Sequence, residues 1–225
     1  MLNRIKKILK KISTWKPSFD PTKFNDDVAL KTEWIPLKGG GSNFQTHKLV
    51  QMGYTRIEFK ATWGAKIFSL IFVTVGLAVP VVFWINDIQT NGGILGSGFL
   101  FIMLFGSIFM AAGGWMFYSF AKPVIFDKTK GMYWKNWKAP TRYLAEGDKD
   151  DSRRIGNIYA LQIIPELVRS DNKSYVSYEL NLILRDGKRM NVVDHGDPLQ
   201  LQEDAQKLSE FLDVPVWDAR TASEF

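Results

Sequence analysis

The chain has 225 residues, a formal charge of +6 and no cysteine. The missing cysteines exclude disulfides, thiolate chemistry and Cys-based zinc sites. The basic excess gathers near the N-terminus and beside two long apolar runs, which points to anionic lipid as a partner rather than nucleic acid, and no interleaved aromatic and basic nucleic-acid motif stands out.

Residues 1–13 read MLNRIKKILKKIS. Leu2, Ile5, Leu9 and Ile12 keep helical spacing, with Arg4, Lys6, Lys7, Lys10 and Lys11 around them. That pattern predicts a basic amphipathic helix on a membrane surface; a solvated leader and a helix packed on its own domain are the alternatives. Charges interrupt every apolar run and no cleavage site follows, so it is not read as a signal peptide. Residues 14–43, with Pro17, Pro21 and Pro36, read as an irregular linker. Its GGGSN stretch at 39–43 lacks the Gly-Lys-Ser/Thr ending of a phosphate loop and reads as a flexible turn.

Residues 44–62 are expected to hold two strands, 47–52 and 55–61. In the second, Ile57 and Phe59 alternate with Arg56, Glu58 and Lys60, the period of a half-buried strand. Two uncharged apolar runs follow at 67–85 and 94–121. Nineteen helical residues span about 28 Å, close to the thickness of bilayer hydrocarbon. The reading is a transmembrane hairpin with helices at 64–86 and 94–121 and a loop at 87–93. Lys48, Arg56, Lys60 and Lys66 precede it, Lys122, Lys128, Lys130, Lys135 and Lys138 follow it, and the loop carries only Asp87. The positive-inside rule then predicts both termini in the cytoplasm and the loop in the periplasm. No ionisable residue lies at membrane depth, which argues against a transporter or channel. Pro80 is expected to kink the first helix. Gly106, Ser107, Ala111, Ala112, Gly113 and Gly114 give the second helix a small-residue face, for packing on the first helix or for contact with a second copy or another membrane protein.

Residues 122–217 are expected to complete the soluble domain, ahead of a tail at 218–225. Strands at 123–126 and 132–137 flank a DKTKG turn, and 145–154 reads as a charged surface loop. Residues 157–168 read as a strand in which Pro165 marks an edge or bulge. Strands at 175–184 and 189–193 flank an RDGK turn. Asp197 is the expected N-cap of a helix at 198–213, with Pro198 at its first position, Gln200 completing a capping box, and Leu201, Ala205, Leu208 and Leu212 as its apolar stripe. The predicted fold class is an α+β membrane protein: a two-helix transmembrane hairpin inserted in a cytoplasmic, pleckstrin-homology-like (PH-like), seven-stranded antiparallel barrel with a C-terminal helix.

Residues 40–49 (GGSNFQTHKL), 177–182 (SYELNL) and 186–196 (DGKRMNVVDHG) resemble a family of uncharacterised bacterial two-span inner-membrane proteins. More loosely, the layout from residue 67 onward resembles the thylakoid family that assists photosystem I assembly. Phe126, Asp127 and Gly131 match its first strand pair, and Phe211, Leu212, Val214 and Pro215 match its terminal signature. That resemblance implies a membrane-anchored scaffold with a PH-like module.

Asp194, His195 and Asp197 cluster before the last helix, with Glu179 and Asn181 on a neighbouring strand. A metal or acid/base site there would lack metal-ligand spacing, so hydrogen bonding of strand to helix is the preferred reading, and no metal or cofactor is expected. Glu179 and Asn181 share a strand face with Ser177; with Arg189, Asp194 and His195 they are the candidate partner-binding residues. Beside the basic N-terminal side chains, Lys122, Trp134, Lys135 and Trp137 are candidates for the headgroup region, unless one tryptophan is core. The expected function is a non-enzymatic inner-membrane scaffold binding a protein partner or lipid headgroups, with a membrane-protein partner or homo-oligomer in view. An immunity factor against a membrane-acting toxin and an enzyme centred on Asp194 and His195 are the alternatives.

Overall fold

The computed structural model describes residues 19–91, 97–140, 152–169 and 173–220. The N-terminal basic segment, with Arg4, Lys6, Lys7, Lys10 and Lys11, lies outside them, as does most of the charged loop before Ser152. Nine strands are described: β1 (His47–Gln51), β2 (Arg56–Ala61), β3 (Val124–Asp127), β4 (Met132–Lys135), β5 (Ser152–Arg154), β6 (Ile158–Arg169), β7 (Ser174–Leu184), β8 (Arg189–His195) and β9 (Val216–Asp218). The helices are α1 (Asp27–Lys31), α2 (Trp63–Asn91), α3 (Ser97–Ala121) and α4 (Pro198–Leu212). The chain falls into two compact units, one built on the strands and one on α2 and α3.

In the first unit the strands form two sheets, ordered β1-β2-β3-β4-β5 and β8-β7-β6-β9. The expected closed barrel of seven strands is therefore corrected: among the described residues no ladder closes the two sheets into a ring, and β5 and β9 are additional. The ladders from β2 to β5 and from β8 to β6 are antiparallel, whereas β9 runs parallel to β6 at Leu161–Ile163. Among the described residues that side of β6 has no strand partner beyond Ile163, and Pro165 sits there, at an edge as its missing N–H requires. Inward residues of both sheets share one core, including Ile57, Phe59, Phe126, Tyr133, Leu161, Leu180 and Leu182. The α4 stripe Leu201, Ala205, Leu208 and Leu212 packs into the same core. The Asp197 carboxylate caps α4 by accepting from Leu199 N and Gln200 N. The N–H that the expected capping box would engage, Asp197 N, donates instead to His195 Nδ1 at 3.1 Å, while the Gln200 amide donates forward to Asp204 Oδ1 at 3.1 Å.

The second unit is the helical pair. α2 continues through Pro80 and reaches Asn91, so the loop expected at 87–93 is largely helix. The two helices touch along small residues: a Cβ added at Gly106 would sit 2.5 Å from Gly76 O, and one at Gly113 would sit 2.9 Å from Ser69 O. Both helices are long and apolar enough to cross a membrane. Their hydroxyls turn back on their own backbone: Ser69 donates to Ala65 O at 2.9 Å and Ser107 to Met103 O at 2.7 Å.

Candidate functional site

The β8-β7-β6 sheet has a second face, pointing away from the shared core, and its side chains are polar where a solvated face would leave them wet. Ser177, Glu179, Asn181 and Gln162 are each at most 1% exposed. The cover is the segment expected to be a linker. Residues 33–43 run across this face like a strap, and two carboxylates hold it by its main chain. Glu179 accepts from Leu37 N at 2.8 Å and from Lys38 N at 2.6 Å. Glu166 accepts from Gly40 N at 2.7 Å and Gly41 N at 3.0 Å. The GGGSN turn does cradle an acid, but the acid is the protein's own Glu166. Gly41 is pressed so close that a Cβ there would lie 2.8 Å from Ser177 Cβ.

Further bonds run in the opposite sense, from sheet to strap. Tyr175 Oη donates to Gly41 O at 2.8 Å, Ser177 Oγ to Ser42 O at 2.9 Å, and Gln162 Nε2 to Glu33 O at 3.1 Å. The Arg189 guanidinium, 4% exposed, donates to Ile35 O at 2.6 Å and to Glu33 Oε2 at 3.0 Å. Phe24, Val28 and Ala29 ahead of the strap, with Trp34 at its start, pack on Ala160, Ile183, Tyr159 and Trp217, forming a second apolar cluster. Asp26 caps α1 through Val28 N and Ala29 N and accepts from Tyr159 Oη at 2.6 Å. Desolvation pushes the Asp26 carboxyl up, but these three donors outweigh it and hold it below its ordinary range.

The sequence-derived candidates can now be placed. Glu179, Asn181 and Arg189 come together under the strap; they form a buried fastening rather than an open face. Burial pushes the Glu179 carboxyl above its ordinary range, against the pull of its two amide donors and Asn181. Asp194 is half-buried and accepts from Asn191 Nδ2 at 2.8 Å. His195 is fully buried, bridges Gln45, and accepts from Asp197 N through Nδ1 at 3.1 Å, which places a neutral ring's proton on Nε2. Its arrangement ties β8 to the start of α4. Trp134 is 3% exposed and packs with Ile125 and Met132, so of the two tryptophans it is the core one; Trp137 is 49% exposed. Lys135 is half-buried at the end of β4, and the Lys122 ammonium lies 4.6 Å over the Tyr118 ring. No group of three or more His, Cys, Asp or Glu side chains among the described residues could hold a metal ion.

Sequence reasoning missed Glu166 and the covering role of residues 33–43. The available signal was a lone acid beside Pro165 in a largely apolar strand, which needs a buried donor. Comparison of the chain with protein-family models, curated proteins and solved structures finds no match.

Proposed function

We propose that the chain is a non-enzymatic membrane scaffold of the bacterial inner membrane. In this reading α2 and α3 cross the bilayer as a hairpin. The two-sheet unit, PH-like in plan with α4 packed into its core, works on the cytoplasmic side, where it binds a protein partner or lipid headgroups. The observation that carries the reading is the bare apolar surface of the helices. Ile71 is 53% exposed, Val82 65%, Leu100 74%, Phe101 70% and Leu104 60%. Water-soluble proteins rarely leave so continuous an apolar surface uncovered, and a bilayer covers it without further protein. Hydroxyls bonded to their own helix suit the same solvent. The basic flanks on both sides of the hairpin set its orientation. Binding rather than catalysis is supported by the hydrogen bonds of Glu179, Asp194 and His195, which tie these side chains to the main chain and to neighbouring side chains.

The natural absence of cysteine makes the topology directly testable. Single cysteines at Thr129, Lys188 and Gln89, all exposed, would be probed with a membrane-impermeant maleimide in spheroplasts before and after lysis. The expected result is labelling of position 89 from outside, and of 129 and 188 only after lysis. Labelling of 129 and 188 from opposite sides overturns the reading.

A further inference from the structure

What the β8-β7-β6 sheet holds of residues 35–43 is main chain. Glu179 takes Leu37 N and Lys38 N, and Glu166 takes Gly40 N and Gly41 N. Arg189, Tyr175 and Ser177 donate to Ile35 O, Gly41 O and Ser42 O. The apolar side chains of the same stretch turn outward: Ile35 is 45% exposed and Leu37 41%. A cover that buries apolar side chains is costly to lift, because the cost grows with the area uncovered. Lifting this one returns amides and carboxylates together to water, which replaces the bonds lost, so the net cost is small. Two further observations weaken the closed state. Gly39, Gly40 and Gly41 stand in a row, and glycine loses more backbone freedom than any other residue when it is held. Gln162 and Asn181, register partners on β6 and β7, are fully buried beside the strap's Glu33 and its Glu179 fastening. Among the described residues neither Gln162 Oε1 nor Asn181 Oδ1 has a hydrogen-bond partner, so the strap leaves two acceptors of this face unanswered.

We infer that this face is the docking site for an extended peptide segment of a protein partner, and that residues 35–43 occupy it as a displaceable strap until the partner arrives. Its contacts define what it selects. The two carboxylates read two pairs of main-chain amides, and main-chain bonds of this kind supply affinity without fixing a sequence. A glycine is required where Gly41 sits, since a Cβ there would lie 2.8 Å from Ser177 Cβ. Side chains on the outward side are free to vary. The inference deepens the scaffold reading, on which it rests for the existence of a protein partner.

The test uses the full chain in phosphatidylcholine nanodiscs and a fluorescently labelled peptide, IPLKGGGSN, that copies residues 35–43. Binding is read by fluorescence anisotropy. In the wild type the resident strap competes with the peptide. The double variant Leu37→Pro, Gly41→Val unseats the strap, removing one amide from the Glu179 fastening and blocking the seat against Ser177. The expected result is binding about tenfold or more tighter to the double variant than to the wild type, the factor by which a mostly closed site taxes its ligand. Adding Glu166→Ala to the double variant, or placing valine where the peptide copies Gly41, is expected to weaken binding by about tenfold or more. A folded double variant that takes up no peptide, or uptake that neither change weakens, overturns the site. Should the double variant not fold, amide exchange in the wild type decides. The amides of Leu37, Lys38, Gly40 and Gly41 are expected to exchange by a local opening insensitive to low urea, ahead of the β6 and β7 amides. Exchange of strap and sheet together, with one urea dependence, overturns the inference. A chain that takes up no peptide but labels as a hairpin loses the docking site and keeps the membrane reading. A chain that takes up the peptide but labels at 129 and 188 from opposite sides keeps the site and loses that reading.

Discussion

Glu166 offers its two oxygens to consecutive amides of the strap, so Glu166→Ala strands both donors, one of them fully buried. Hydrogen bonds to a charged acceptor put the expected loss at about 2–3 kcal/mol, read from urea unfolding of the solubilised protein by tryptophan fluorescence. Glu166→Gln keeps one acceptor oxygen and is expected to lose less. A loss within error for both variants would mean that the strap is held elsewhere. Glu179 adds a pH dependence whose sign is fixed by its burial. Its carboxyl is raised in the folded chain, so the folded state binds more protons than the unfolded one between the ordinary glutamate range, near about 4.3, and the raised value. Its contribution is present in full below that range and is lost as pH rises through it. The stability of the wild type minus that of Glu179→Gln is therefore expected to fall as pH climbs from about 4. A flat difference would show that the carboxyl is not raised.

At the scale of elements, two contacts decide whether a helix keeps its place. Asp197→Ala removes the acceptor for Leu199 N and Gln200 N and is expected to cost about 1 kcal/mol. The same reduction in chemical unfolding should appear whether or not lipid is present, because α4 packs its apolar stripe into the two-sheet unit's core. Gly106→Leu places a side chain where Gly76 O and Pro80 already sit. Overpacking of this kind costs about 1–3 kcal/mol, so α2 and α3 are expected to separate, measured as lost disulfide crosslinking between cysteines introduced on the two helices. Undiminished crosslinking would show that the glycine contact does not hold the pair.

For the whole molecule, the apolar surface of α2 and α3 predicts that the chain stays in the membrane pellet through an alkaline carbonate wash; release into the supernatant would speak against insertion. The two long helices, the strands β1 to β4 and the strands β6 to β8 were legible because their periods are: uncharged runs on one hand, alternation such as Leu180 and Leu182 against Glu179 and Asn181 on the other. The capping aspartate at the start of α4 was equally readable. β5 and β9 were not, since three residues cannot display a period. The strap was invisible for a different reason. What fastens it is its own main chain, Leu37 N, Lys38 N, Gly40 N and Gly41 N, and amide groups leave no trace in residue identity. Trp134 and Trp137 were separable only once the β4 register set one inside.

The insertion point of the helical pair has a bearing on biogenesis. β2 and β3 are ladder neighbours, with Phe59 opposite Val124, yet the entire hairpin is synthesised between them. The first two strands emerge from the ribosome with no partner beyond each other and wait until both helices have been made. Closing so long an excursion at random is entropically costly, whereas α2 and α3, once paired along their glycines, deliver its two ends together. Helix pairing is therefore expected to precede sheet completion, and a defect in the hairpin is expected to leave an unfinished edge on β2, open to aggregation.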